Sequence, residues 1–171
     1  TQLSRTRLDN GYRVNVNTAE GRESSYKVEY IPGVGTRMVN TDSAGGKTII
    51  EIDNNGARKV TYPDGTVATM AVGPDPRPGI GVRAPITRDF TIKTPAGLVS
   101  KVTRERTMEM DDVDNPFSVT KITDTVNNNG KEYKHTYDID DASQTVTVTT
   151  TTPEGRQTQS TLDWCGRLIK K

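Results

Sequence analysis

The side chains best suited to nucleophilic catalysis in this sequence are a single histidine, His135, and a single cysteine, Cys165. A histidine activates a thiol only when the fold brings the two into hydrogen-bond contact, and neither residue has sequence neighbours that would orient it. We therefore interpret His135 as an ordinary strand residue and Cys165 as a turn residue, and we predict that the chain is not an enzyme. One cysteine also excludes an internal disulfide and a multi-cysteine zinc site.

Carboxylates cluster twice, at 111–114 and at 138–141, where they offer the oxygen ligands that calcium prefers. Neither cluster has the Asp-x-Asp-x-Asp-Gly order of a calcium loop, so we interpret both as solvated turns, with calcium binding as the alternative. The glycine pairs at 33–35 and 79–81 are not nucleotide loops, because no helical pattern follows them to bind a phosphate. We predict no cofactor and no metal ion.

Charge is nearly balanced, with 23 lysines and arginines against 22 aspartates and glutamates spread along the chain. A nucleic-acid-binding protein usually carries a basic excess or stripe, so we predict no nucleic-acid partner. Arg104 and Arg106 interleave with Glu105 and Glu109, which we interpret as a strand face that neutralises itself. No apolar run approaches the ~20 residues of a spanning helix, and we predict no membrane span.

The elements that must position these residues are extended strands. Only 31% of the residues are hydrophobic and 5% aromatic, whereas 26 of the 171 are threonine, a β-branched residue that favours strands. Polar and apolar residues alternate with a period of two, which places one face of a strand inward and the other toward water. The clearest examples are 12–16, 47–52, 90–93 and 145–149. No 3.6-residue period is sustained, so very little helix is expected.

Glycine-based turn signals separate the alternating stretches. Asn-Gly and Asp-Gly pairs favour the positive φ of tight hairpin turns, and proline fixes the corner before several of them. The signals lie at 9–11, 19–22, 44–47, 54–56, 63–66, 95–98, 128–131, 153–156 and 163–167. This spacing predicts an all-β fold of tandem antiparallel β-hairpins in a single stretch, residues 1–171, with an irregular Pro/Gly-rich connection at 73–85.

The last two turns carry a motif. Residues 152–156 read Thr-Pro-Glu-Gly-Arg, and residues 162–168, one strand later, read Leu-Asp-Trp-Cys-Gly-Arg-Leu. The series resembles the Tyr-Asp-x-x-Gly-Arg-Leu motif of RHS/YD-repeat proteins, with leucine in the tyrosine position. Tyr137-Asp138 resembles a partial copy that lacks the following Gly-Arg. The positions that carry the resemblance in the two turns are Gly155, Arg156, Asp163, Gly166, Arg167 and Leu168.

This resemblance implies a section of a very large polypeptide that is extracellular or at the surface of a bacterial cell. In teneurin-like and toxin-complex-like members, tandem hairpins form a spiralling open sheet that builds a hollow shell, which encapsulates a toxin or serves as a structural body. The implied function is a structural scaffold, shell or fibre, whose partners are flanking repeats of the parent chain or identical copies. In such a repeat, Asp163 and Arg167 are expected to fix their turn by hydrogen bonds.

A binding module is the alternative function. A β-sandwich or barrel could use exposed tyrosines and Trp164 to contact a carbohydrate or a host surface protein. A fragment of an enzyme whose catalytic part lies elsewhere is a third, weaker alternative. Closed sheet edges around a pocket would favour the binding module, whereas open edges would favour the scaffold.

Overall fold

The computed structural model describes residues 1–171, except for the side chain of Val82. The described chain forms fourteen β-strands, hydrogen-bonded in sequence order in one open antiparallel sheet. The strands are β1 (Gln2–Leu8), β2 (Gly11–Asn17), β3 (Glu23–Ile31), β4 (Gly35–Thr41), β5 (Lys47–Asp53), β6 (Arg58–Thr61), β7 (Val67–Gly73), β8 (Ile86–Lys93), β9 (Val99–Met110), β10 (Val119–Asn128), β11 (Lys131–Asp140), β12 (Thr145–Thr151), β13 (Gln157–Asp163) and β14 (Leu168–Lys170). The prediction of an all-β fold of antiparallel hairpins is confirmed.

Helix is limited to one 3-10 turn, Gly81–Arg83, within the described residues. No helix in this part of the chain is long and apolar enough to cross a membrane. The 3-10 turn lies in the connection between β7 and β8, which spans 74–85 and is rich in proline and glycine. The observed connection, 74–85, therefore agrees with the predicted one, 73–85, to within one residue.

The chain divides into two compact units. The first contains residues 1–71 and 90–100. Its strand register aligns apolar side chains across six consecutive strands, because alternate residues of a strand point to the same face. This row comprises Tyr12, Val28, Met38, Ile50, Val60 and Ala68.

The opposite face of the first unit is charged. Glu29 pairs with Arg37, Arg37 with Glu51, and Glu51 with Lys59 on successive strands. The Arg37 Nε lies 3.9 Å from Glu51 Oε1, and the Lys59 Nζ lies 3.7 Å from Glu51 Oε2. Opposite charges directly across neighbouring strands stabilise a sheet, so this face reinforces the register of the apolar row.

The second unit contains residues 72–89 and 101–171. Its register aligns Met108, Ile122, Tyr137 and Val148 on one face of β9 to β12. The other face of the same strands is rich in threonine, whose hydroxyl tolerates water while its β-branch favours the extended backbone. The Thr-Val alternation of β12 thus gives the unit one apolar face and one hydrated face.

Burial is shallow throughout. Among the described side chains, Ala68, at 8% exposure, is the one buried hydrophobic residue. The acids Asp75 and Asp124 are more deeply buried, with exposures of 4% and 1%. A sheet with so little enclosed apolar surface depends on its hydrogen-bond ladders, its half-buried apolar rows and a few internal polar contacts. The most buried side chains are therefore the ones that deserve a functional explanation.

Candidate functional site

One turn geometry recurs along the chain. Seven described turns of five residues share two backbone hydrogen bonds. The N–H of the first residue donates to the carbonyl of the fifth, and the carbonyl of the first residue accepts the N–H of a glycine in the fourth position. The glycines have φ between +75° and +86°, the left-handed region that glycine enters without a steric penalty. The turns begin at Thr18, Asp42, Asp53, Tyr62, Thr94, Thr152 and Asp163.

An aspartate in the first position adds a side-chain lock. Asp163 Oδ1 accepts the backbone N–H groups of Cys165 and Arg167, each at 2.9 Å. Asp42 and Asp53 bind their own turns in the same way. The Asp163 Oδ2 also accepts the Arg167 Nε at 2.6 Å. Aspartate, glycine and arginine at positions one, four and five of this turn therefore each have a definite physical role.

The pKa of Asp163 lies below its ordinary value, and the largest cause is the hydrogen bond from the Arg167 backbone N–H. The carboxylate consequently stays ionised and able to accept all three hydrogen bonds at neutral pH. Leu168 begins β14 directly after this turn and pairs with Leu162. The turn thus sets the register of the last hairpin.

Two of the motif residues identified from the sequence form the turn between β12 and β13. Gly155 has φ +78°, and the Arg156 backbone N–H donates to Thr152 Oγ1 at 3.3 Å. Tyr137 and Asp138 do not lie at a turn, because both are inside β11. Tyr137 belongs to the apolar row of the second unit, and Asp138 lies on the opposite face, 3.5 Å from Lys121.

Replacing Asp163 with alanine is expected to lower the melting temperature by a few degrees, since two backbone N–H groups of the turn lose their acceptor. Asparagine at this position keeps the Oδ1 acceptor and loses only an exposed ion pair, so its melting temperature should match the wild type. Thermal unfolding of both variants, followed by circular dichroism, measures the difference. An asparagine variant as unstable as the alanine variant would show that the ion pair, not the turn lock, matters.

The most buried carboxylate of the chain anchors a second, unrelated cluster. Asp124 on β10 pairs across the sheet with Arg106 on β9. Arg106 donates Nε and a terminal nitrogen to the two Asp124 oxygens, both at 2.7 Å, and Arg104 donates to Asp124 Oδ2. Bidentate guanidinium–carboxylate contacts of this kind are among the strongest hydrogen bonds in proteins.

The Pro/Gly-rich connection contributes the rest of this cluster. Asp75 binds Arg77 through Nε at 2.8 Å and a terminal nitrogen at 2.9 Å, and it also accepts the Arg77 backbone N–H. The side-chain hydrogen bond to Asp124 is the largest cause that raises the pKa of Arg106, and the charge of Asp75 adds to it. We call this set, Asp75, Arg77, Arg104, Arg106 and Asp124, the arginine–aspartate cluster.

The cluster is unsuited to acid–base catalysis. Burial tends to raise the pKa of Asp124, but the hydrogen bonds from Arg106 and then Arg104 outweigh it and lower the pKa to about 2. The side-chain hydrogen bond from Arg77 likewise lowers the pKa of Asp75. A general acid or base works best with a pKa near the operating pH. Both carboxylates are therefore fixed charges: Asp124 joins β10 to the arginines of β9, and Asp75 holds Arg77 within the connection.

The sequence interpretation of Arg104 and Arg106 as part of a self-neutralising face is wrong. Successive residues of β9 point to opposite faces, so these arginines lie on the side away from Glu105 and Glu109. Their acidic partner is Asp124 on the next strand, which the sequence did not identify. The spacing of Arg104 and Arg106 could have indicated this partner. Residues two apart in a strand share a face, so two like charges there need an acid on a neighbouring strand.

His135 and Cys165, the candidate base and nucleophile, lie on different elements. His135 is on β11, opposite Asp124 and Thr150, and its Nδ1 lies 3.1 Å from Thr150 Oγ1. Cys165 and Trp164 are in the turn between β13 and β14, where Trp164 is 56% exposed. Among the described residues, no group of three acids, histidines or cysteines is arranged to bind a metal ion.

The sheet has two edges. β1 hydrogen-bonds only to β2 in the strand order, and β14 only to β13. A seven-residue edge such as β1 presents alternate N–H and C=O groups for pairing with another strand. Neither a family model nor a curated protein matches this chain.

Proposed function

We propose that this chain is a non-enzymatic structural segment of a large secreted or surface protein of the RHS/YD-repeat type. It extends an extracellular β-sheet scaffold, shell or fibre by edge-to-edge stacking of hairpins, at the surface of a bacterial cell. Its partners are flanking repeats of the parent chain or identical copies. The observation that carries the proposal is the open fourteen-strand sheet, whose order follows the sequence without a crossover.

Several features support this function over catalysis. The recurring turn explains the Asp-x-x-Gly-Arg pattern as a device for repeating one hairpin connection. Sequential pairing lets each hairpin add to the one before it, which is how repeat architectures grow. The buried carboxylates of the second unit act as fixed charges and not as proton donors.

Edge pairing predicts that the chain assembles when its concentration is raised. Sedimentation velocity over a concentration series should show species larger than the monomer, because each open edge is a template for another strand. Solution conditions that keep the monomer folded, checked by circular dichroism, are the control. A folded chain that stays monomeric at every concentration would remove self-association from the proposal.

A binding module for carbohydrate or a surface protein is the second candidate, and the exposure of Trp164 supports it. An aromatic side chain at a turn offers a flat apolar surface with a polar edge, which suits sugar contacts. Glycan binding that is lost in the Trp164→Ala variant would establish this candidate. Cys165→Ser, one residue away in the same turn, is the matched control.

A further inference from the structure

The first strand carries two arginines that the chain itself does not neutralise. Arg5 and Arg7 are exposed on β1 and share a face, because they are separated by one residue. Their cross-strand neighbours on β2 are Val14 and Tyr12. Arg5 lies over the Tyr12 ring, 4.6 Å from its centroid. Among the described side chains, neither arginine has an ion-pair partner.

Several basic side chains of the internal strands meet an acid on the adjacent strand, although Arg13 and Arg58 do not. Arg37 and Lys59 flank Glu51, and Lys121 faces Asp138. Arg106 faces Asp124 in the same manner. An internal strand has two neighbours that can supply such an acid, whereas β1 has a neighbour on one side only.

The same two arginines line a groove that lies over β1, β2 and β3. It has a volume of about 820 Å³ and is lined by Arg5, Arg7, Tyr12 and Tyr30, with Pro32 and Asp9 near the turns. One carboxylate, Asp9, against two guanidinium groups leaves an excess of positive charge.

We propose that the strand which pairs with the free edge of β1 is an acidic peptide segment with carboxylates at two alternate positions, opposite Arg5 and Arg7. This inference rests on the proposed edge pairing and specifies its partner. Because the added strand runs antiparallel to β1, its pattern from the N-terminus is acid-x-acid-x-apolar. The apolar residue lies opposite Leu3, an exposed side chain on the same face as the arginines.

A second copy of this chain fits the edge poorly. β14 reads Leu-Ile-Lys and brings no acid to the arginines. Two copies of β1 paired about a two-fold axis at Arg5, the central residue of the strand, place Arg5 opposite Arg5 and Arg7 opposite Leu3, and an axis at Thr6 places Arg5 opposite Arg7. Like charges directly across a strand pair are destabilising. The arginines therefore disfavour pairing between copies at β1 and favour an acidic strand there, so that self-association of identical copies is expected through the other edge, β14.

The test uses the full chain and synthetic seven-residue peptides rich in threonine, with glutamates at positions two and four and valine at six. Backbone amide shifts of the isotope-labelled chain report where each peptide binds. The glutamate peptide should perturb β1 and bind about fivefold more tightly than a peptide with glutamines instead, because two cross-strand ion pairs are lost. The difference should vanish at about 1 M salt, where the screening length is about 3 Å.

Charge reversal provides the complementary arm. The double variant Arg5→Glu/Arg7→Glu should prefer a lysine peptide over the glutamate peptide. Arg13→Glu changes the charge on the opposite face of β2 and should leave the peptide preference unchanged. Methylation of the peptide backbone nitrogens that face β1 should abolish binding, since pairing requires ladder hydrogen bonds.

The outcomes separate the acidic partner from edge pairing in general. Equal binding of the glutamate and glutamine peptides at β1 would overturn the acidic partner and leave edge pairing intact. Binding that survives backbone methylation would also overturn it, because it would reflect charge attraction alone. Dimers formed through β1 without peptide would assign the edge to a second copy. If no peptide binds at β1, the acidic partner is overturned. If the chain also fails to assemble at every concentration, edge pairing is contradicted as well.

Discussion

Replacing Asp124 with asparagine is expected to destabilise the folded chain by about 3 kcal/mol, because the two arginines then lose the charge that compensates their partial burial. The Asp124 side chain is 2% exposed, and those of Arg106 and Arg104 are 18% and 32% exposed. Removing one partner of a buried ion pair usually costs more than the pair contributes in total. Urea unfolding followed by circular dichroism measures the loss.

The matched control is Asp138→Asn on the neighbouring β11. Asp138 also pairs with a basic residue, Lys121, but its side chain is 50% exposed on the hydrated face. Such surface pairs contribute about 0–1 kcal/mol, so the change in the free energy of unfolding should be small. Equal effects at Asp124 and Asp138 would show that the arginine–aspartate cluster is not a structural anchor.

The same cluster sets the acid sensitivity of the fold. The pKa of Asp124 is lowered from 3.8 to about 2 in the folded chain, so the carboxylate contributes stability above its unfolded value. That contribution, of about 2 kcal/mol, is lost as the pH falls from about 5 through the folded pKa. The Asp124→Asn variant should therefore show a flatter dependence of stability on pH in this range.

Replacing Gly35 with alanine is expected to destabilise the first unit by about 3 kcal/mol through two steric effects. The φ of Gly35 is +140°, and a Cβ there would lie 2.0 Å from the carbonyl oxygen of Ile52 on β5. The positive φ penalises any residue with a Cβ, and the clash forces β4 away from β5, because the atom in the way belongs to the backbone and not to a flexible side chain. Hydrogen exchange in β4 and β5 would localise the damage.

Gly45→Ala is the control for this prediction. Gly45 also has a positive φ, +85°, but a Cβ there would meet no described atom within 4 Å. Its cost should be limited to the conformational penalty of about 1 kcal/mol. If the two alanine variants were equally stable, the close approach of β4 and β5 would contribute nothing to the fold.

Much of the fold could be predicted because the sequence repeats simple signals. The Thr-Val alternation of β12 shows a strand with one hydrated face, and Asp163 and Gly166 mark a turn by their side-chain and backbone chemistry. The interpretation of 138–141 as a solvated turn holds for Asp141 alone, because β11 continues through Asp140; the turn at 141–144 had no glycine to signal it, since Gln144 adopts φ +54° there. A residue type that rarely enters this region gives no warning of the turn, which Asp140 stabilises by accepting the N–H groups of Ala142 and Ser143.

The arginine–aspartate cluster was beyond the sequence for a different reason. The register that brings Asp124 opposite Arg106 depends on the turn around 111–118 and on an irregularity between Val119 and Lys121. A shift of one residue would place Asp124 on the other face. The burial of Asp75 follows from the path of the Pro/Gly-rich connection, whose composition indicates irregular backbone but not where that backbone lies.

Amide hydrogen exchange in β1 is the most direct test of the claim that this chain extends a sheet through its open edges. Exchange is measured for Gln2–Leu8 in the dissociated chain and in samples assembled with a partner strand, with internal β2 as the reference. If the edge of β1 is open, its outward-facing amides exchange rapidly in the dissociated chain. On assembly they become as protected as the amides of β2. Edge amides that exchange at the same rate in both samples would contradict this claim.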